Sequence, residues 1–448
     1  MMRENVKKLI ALFGLALALV PAYHAQTGKI DNIAEQAASV TEFEVNGLKI
    51  LVKRRNSAPT VAVGLFIRGG AQNADAKTAG LENLMLQTAI ESGKKYPRQT
   101  LRRELARTAS VIGATASYDM SAVSLVATHQ NFDTAWNMFA DVMLNPTFAP
   151  EDLEREKQQI ITGLRSEEDN PDDALQNLQN RIVYAGHPYS NDPTGTIANV
   201  ESFKPADLAA YHKKIMETSR LLLVIVGDID ANDLKPRIAA TFGNLPRGSY
   251  KAQPLPPLDF SKGTLDISSR GIPTNYIQGS FSAPTLGSSD YYAMRVATTI
   301  LQDMVFQEVR VKRNLSYAPS ASMNNLSSNT GSIYVSAVDA NQSVNVMLNQ
   351  IKTLQTDLVD EDQISGSAGQ FLTNYYLSQE TNAAQAGELA RYEILGGGWR
   401  NSFEFINRIR EVKPADVRAV ANKYIRNLRF VVIGNPSSVN KTVFIPAE

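Results

Sequence analysis

Little in this sequence can bind a transition metal. Cysteine is absent, and beyond residue 25 histidine occurs only at His129, His187 and His212. A helical metal pair needs two imidazoles at i and i+4 on one face. No two of these histidines lie that close. Arg310 and Tyr317 offer a different chemistry, because a guanidinium and a phenol both donate hydrogen bonds to a carbonyl oxygen gaining negative charge. They lie seven residues apart in FQEVRVKRNLSY, which runs from Phe306 to Tyr317 at a helix-to-strand junction. On spacing alone such a pair is common, and Glu308 or Asp303 would serve Arg310 as an ion-pair partner. Arg313 is the alternative guanidinium if the register slips. Gly396-Gly397-Gly398-Trp399 lacks the strand context and the Lys-Ser/Thr of a phosphate loop, and reads as a helix C-terminus followed by a turn.

The elements that must position these residues occur twice. Lys204-Pro205-Ala206-Asp207 opens a helical pattern with Leu208, Tyr211, His212 and Ile215 on one side, then comes a strand-like run, Leu221–Val226, and a turn. Lys413-Pro414-Ala415-Asp416 opens the same arrangement 209 residues later, ahead of the run Phe430–Ile433. Proline sits just inside each helix start, where its missing N–H costs nothing. Asn131–Leu144 and Asn341–Leu358 are amphipathic, and each precedes a long helix, opening at Pro150 and Asp360, 210 residues apart. Short runs rich in Val, Ile and Leu open both halves: Gly47–Lys53 and Val61–Ile67, then Thr264–Ser268 and Tyr276–Phe281. Two copies of one unit are expected.

Length and composition agree. A chain of 448 residues exceeds what one core usually accommodates. Its 43% hydrophobic and 20% charged residues fit a folded soluble protein, and equal numbers of basic and acidic residues, 45 each, exclude the basic footprint of a nucleic-acid binder. Arg3, Lys7 and Lys8, the apolar run Leu9–Val20, then Pro21, Ala22 and Ala25 read as a secretory signal peptide over residues 1–25. The apolar run is short of the roughly 20 residues that span a bilayer, so no membrane span is expected after its removal. The mature chain is expected in the periplasm or secreted, with no disulfide to stabilise it.

The run Leu65–Gly70 (LFIRGG) followed by Thr78–Gln87 (TAGLENLMLQ) resembles the pitrilysin and mitochondrial-processing-peptidase superfamily. There a turn after a strand leads into A-G-L-A-H-x-x-E-H, the inverted zinc motif. Gly186-His187-Pro188-Tyr189 resembles the H-P-Y of that family, and the segment from Phe306 to Tyr317 resembles L-F-x-x-L-R-E-x-x-G-L-x-Y of its C-terminal domain. The likeness covers nearly the whole mature chain. It implies an α+β fold of two homologous LuxS/MPP-like domains, each an antiparallel sheet backed by helices. The expected division is an N-terminal peptidase-like domain over 40–245, a proline-rich linker over 246–262, and a C-terminal domain over 263–448 carrying the Arg/Tyr motif.

By that match the zinc-binding and general-base positions are Asn83, Leu86 and Gln87. Neutral amides are poor zinc ligands, and leucine neither binds metal nor takes a proton. Asn83 and Gln87 are read as chemically inert polar residues on a helix facing a cavity, with substrate-binding amides as the competing reading. The family's third ligand, a glutamate, aligns with Thr162-Gly163-Leu164, and only a one-turn slip would bring in Glu167. No metal or other cofactor is expected in this chain. In active relatives the Arg and Tyr contact the scissile region of the peptide, and here they are Arg310 and Tyr317. Val311 stands where that motif has Glu, and Asn314 where it has Gly. The resemblance therefore implies a zinc-less subunit of a heterodimeric metallopeptidase, with zinc in a homologous partner and a peptide as substrate. The alternatives are a structural or peptide-binding scaffold of the cell envelope and, more remotely, a hydrolase with a relocated metal site.

Overall fold

The computed structural model describes residues 33–445, so the signal peptide read over 1–25 lies outside the described residues. Eleven strands form two sheets. In the first, β1 (Val40–Val45), β2 (Leu48–Arg54), β3 (Thr60–Arg68), β4 (Val111–Thr115), β5 (Met120–Thr128) and β6 (Leu221–Gly227) lie in the order β1-β2-β6-β3-β5-β4. In the second, β7 (Thr264–Ser269), β8 (Asn275–Ser282), β9 (Ser320–Met323), β10 (Thr330–Ala337) and β11 (Arg429–Gly434) lie in the order β7-β11-β8-β10-β9. Apart from β1, the second order repeats the first. The sheets are mixed rather than antiparallel throughout: β2 pairs with β6, and β7 with β11, in parallel. In each half the last strand returns after several helices, and that long crossover permits a parallel neighbour where a tight hairpin does not.

Local chemistry explains the repeated elements. In both Lys-Pro-Ala-Asp starts, the aspartate at the third helical position turns back and caps the chain. The Lys204 N–H donates to Asp207 at 2.8 Å, and the Lys413 N–H to Asp416 at 3.0 Å. The helices that follow are Pro205–Ile215 and Pro414–Tyr424. The β1–β2 hairpin turns on Asn46 and Gly47, both at positive φ, as a two-residue primed turn requires.

Side chains alternate across each sheet. On one face of the first sheet Ile50, Val63, Leu65, Leu223 and Ile225 pack with the half's own helices, among them Leu81–Ala89 and Phe132–Leu144. The opposite face, with Leu51, Phe66, Leu222 and Val224, is covered by Ala386, Leu389 and Ala390 of the helix Asn382–Leu395, and by Trp399 and Phe403 beyond it. These residues belong to the second half of the chain. The exchange is reciprocal: Leu175 of the helix Pro171–Val183, from the first half, packs on Val431 and Ile433 of the second sheet. Polar groups lock both docks. The Asn382 amide donates to the Thr60 carbonyl at 2.6 Å and Lys49 pairs with Glu393 at 2.7 Å. On the other side the Gln179 amide donates to the Arg429 carbonyl at 3.1 Å. Among the described residues no helix is long and apolar enough to cross a membrane.

Trp399 is buried under the first sheet, and its indole N–H donates to Glu42 at 2.8 Å. Trp399→Ala opens a cavity at the exchanged face and removes a donor from a carboxylate. It should cost about 3–5 kcal/mol, read as a lowered thermal unfolding midpoint. An unchanged midpoint would mean that this dock does not hold the halves.

Candidate functional site

The helix Leu81–Ala89 carries the three degenerate positions. It starts at Gly80, whose φ of 87° leaves no room for a side chain: an added Cβ would lie 2.7 Å from the Thr194 carbonyl oxygen and 2.8 Å from the Gly195 Cα. Leu86 is 0% exposed and sits in the core with Leu84 and Met85. A side chain there has no access to solvent or substrate. Asn83 and Gln87 are half-buried. Gln87 donates to the Ala114 carbonyl at 3.0 Å, fastening the helix to β4, the outer strand of its sheet. Glu82 of this helix borders a small cavity with Gly80 and Tyr211, while Asn83 and Gln87 stand at the helix margin.

Sequence reasoning missed Glu82, which stands beside them. It is buried and accepts hydrogen bonds from Ser121 and, at 2.6 Å, from the Tyr211 hydroxyl. Arg220, also buried, lies 3.7 Å away and donates to the Arg68 carbonyl at 2.9 Å. A buried carboxylate beside a buried guanidinium is a paired, structural arrangement. Nothing local in the sequence brings residues 82, 121, 211 and 220 together. On the helix Pro150–Asp169, Thr162 and Gly163 are exposed and Leu164 is half-buried. Glu167 lines a cavity that Asn83 and Gln87 do not enter, and accepts from the Asn177 amide at 3.4 Å. Among the described residues no group of three His, Cys, Asp or Glu side chains is placed to hold a metal ion.

The second half presents its pair differently. The helix Tyr291–Val305 corresponds in position to Leu81–Ala89 and runs on into a wider, π-type turn over Phe306–Val311. The Lys312 N–H reaches back to the Gln307 carbonyl at 2.9 Å, a five-residue span. Asn314, at φ 51°, takes a left-handed conformation, which asparagine tolerates better than most residues. The chain reverses there and brings Tyr317 beneath Arg310. The guanidinium donates to the Tyr317 carbonyl at 2.7 Å and stacks 3.9 Å from the phenol ring centroid. Tyr317 is 78% exposed. Arg310 has no carboxylate partner among the described residues. Glu308 is taken instead by Lys312 and Arg313, which hold its carboxyl below the usual range. No hydrogen bond or larger cavity among the described residues joins this pair to Asn83 or Gln87.

Residues 49–196 match the family described as Insulinase (Peptidase family M16), and residues 202–369 match the Peptidase M16 inactive domain. The chain belongs to peptidase family M16. It is 22% identical over 401 residues to an uncharacterized zinc protease of Rickettsia felis, spanning 88% of this chain and 97% of that one. Mitochondrial-processing peptidase subunit beta of Blastocladiella emersonii is 21% identical over 407 residues, 87% of each chain. Cytochrome b-c1 complex subunit 1 of Bos taurus is 23% identical over 275 residues, 60% of this chain and 57% of that one. Among solved structures, a peptidase M16 inactive domain from Pseudomonas fluorescens superposes with a TM-score of 0.82 at 19% identity, covering 88% and 98%. A protease from Helicobacter pylori gives 0.80 at 16% identity, covering 88% and 99%. Those structures share the fold.

In this M16 chain the His-Pro-Tyr segment is a fastening. His187 is 5% exposed; its Nδ1 accepts from the Tyr189 N–H at 3.0 Å, so its Nε2 carries the proton and meets Ser328 Oγ at 2.9 Å. Tyr189 donates to Asp119, whose second oxygen accepts from the Ser327 N–H at 2.9 Å. His212 is half-buried, with Nε2 on the Met143 carbonyl at 2.8 Å. Burial lowers both imidazoles below their ordinary value, so folding favours the neutral rings. That contribution is complete above the unfolded value of about 6.5 and is lost as pH falls from there through the lowered folded values. The thermal midpoint should therefore drop between neutral and mildly acid pH. A His187→Gln/His212→Gln variant should show a shallower slope, and an identical slope would rule these two groups out.

Proposed function

We propose that this chain is the zinc-free subunit of a two-chain M16 peptidase, and that it lends Arg310 and Tyr317 to a metal site on a homologous partner. The observation that carries the reading is a contrast. The helix of the first half has lost its metal chemistry to the core, with Leu86 fully enclosed. The turn of the second half stacks a half-buried guanidinium on an exposed phenol, with no competing carboxylate among the described residues. An ordering contact of this kind stabilises an exposed pair by only about 0.5–1 kcal/mol, too little to account for the geometry as a stability device. It does preset two donors facing outward.

The partner's metal site would supply the activated water. This chain's part is to bind and orient. With one nitrogen of Arg310 fixed on the Tyr317 carbonyl, the remaining N–H groups and the phenol O–H are free to donate to a peptide carbonyl oxygen as it becomes negative. An exported peptide-processing complex, periplasmic or secreted, fits the leader-like N-terminal segment. Mitochondrial-processing peptidase subunit beta, a relative, is by name a subunit, which supports an assembly here.

The test mixes this chain with a homologue bearing His-x-x-Glu-His, expected in the neighbouring reading frame, and measures peptide hydrolysis by each alone and together. Hydrolysis should need both chains. Arg310→Ala should lower the kcat/KM of the mixture by about 10²–10³-fold while the complex still elutes intact, with Tyr317→Phe acting in the same direction. A complex that forms without gain of hydrolysis would favour the scaffold reading. Activity indifferent to Arg310→Ala would remove the assigned role.

A further inference from the structure

The donor pair hangs from one continuous helix by two fastenings. The first is backbone: the Leu315 N–H donates to the Val309 carbonyl at 2.9 Å, tying the reversal at Asn314 to the turn it leaves. The second is a side chain. Beyond Tyr317 the chain enters β9, a four-residue strand at the outer edge of the second sheet, paired on one side with β10. On its other side stands Gln302 of the helix Tyr291–Val305, half-buried. Its carboxamide oxygen accepts from the Ala321 N–H at 2.6 Å, and its nitrogen donates to the Pro319 carbonyl at 3.4 Å. A residue in a parallel neighbouring strand bonds in the same way, to the N–H after and the carbonyl before the residue it faces. One amide thus fills the place of a missing strand opposite Ser320. The first half has a simpler counterpart: Gln87, on the corresponding helix, donates one hydrogen bond to Ala114 of its own outer strand.

We propose that Gln302 is a positioning residue for the Arg310–Tyr317 pair. Only Ala318 separates Tyr317 from the clamped Pro319, so the clamp limits how far the tyrosine backbone can swing. The Arg310 guanidinium grips the carbonyl of that same tyrosine. A short edge strand with half its backbone groups unmet opens locally at little cost, and Tyr317 would then drift from Arg310. A packing role for the side chain would be met equally by an aliphatic residue of that length. Two hydrogen bonds to backbone atoms two residues apart demand a carboxamide, with acceptor and donor on one planar group. The catalytic consequence rests on the two-subunit reading, whereas the ordering of the loop concerns this chain alone.

Gln302→Met keeps the length of the side chain and removes both hydrogen bonds. In the isolated mature chain it should speed hydrogen exchange at the Ala321 amide, and chymotryptic cleavage after Tyr317, about 10-fold. The unfolding midpoint should move little, because the opening is local. In the mixture with the zinc-bearing homologue the same variant should lower kcat/KM about 10-fold, through kcat with KM little changed. Gln302→Glu, which keeps the acceptor for Ala321 and loses the donor to Pro319, should fall between Gln302→Met and the wild type. On an Arg310→Ala background Gln302→Met should have no further effect on kcat, since a residue acting through the pair is silent once the pair is gone. Additive losses would overturn the positioning role, as would unchanged exchange at Ala321. A mixture without hydrolysis would sink the two-subunit reading and leave the exchange and cleavage rates to decide whether Gln302 orders the loop.

Discussion

Each sheet of this protein has two apolar faces and only one set of helices of its own. That constraint decides the architecture. A sheet with β3 and β6 buried along nearly their whole length needs cover on both sides, and uncovered apolar faces of this size are unstable in water. The chain resolves the problem by exchange: Asn382–Leu395 covers the first sheet and Pro171–Val183 covers the second. Small residues at the first dock, Ala386 and Ala390, allow the helix to lie close to the strands. Each half consequently covers a sheet face of the other, although each repeats the other's strand order.

The same constraint shapes the two places where chemistry was expected. Leu81–Ala89 is wedged between its sheet and other helices, so its inward face belongs to the core and only Asn83 and Gln87 reach its margin. Tyr291–Val305 occupies the equivalent place, and its continuation anchors Val309 in the core while leaving Arg310 half-buried and Val311 exposed. The absence of metal-binding side chains on the buried helix and the presence of a donor pair on the later turn are therefore physically independent. A leucine at position 86 contributes to packing whatever becomes of the chemistry.

Much of the fold was legible because its signals are local. The aspartate that caps each Lys-Pro-Ala-Asp helix acts within four residues, and the apolar runs at β2, β3 and β8 follow from strands buried on both faces. The parallel pairs β2/β6 and β7/β11 were not legible, since register across a crossover of more than a hundred residues leaves no trace in spacing. The exchange of helices was not legible either, because an apolar stripe does not reveal which sheet it meets. For the candidate site, the chemical emptiness of Asn83, Leu86 and Gln87 could be read from residue type alone. The attachment of Gln87 to Ala114 and the Glu82–Arg220 pair could not, as both join segments distant in the chain. His187 was recognisable as part of a motif, but its task of holding loops of both halves together was not.

The π-type turn at Phe306–Val311 has a mechanical meaning of its own. A helix advances by about 100° per residue, so the one extra residue held in that widened turn sets the compass direction of everything after it. Without it, the backbone from Lys312 onward would leave the helix on a different heading, and the reversal at Asn314 would carry the tyrosine ring away from the guanidinium. The aim of the pair is thus written in the winding of the backbone, one step before either side chain is chosen.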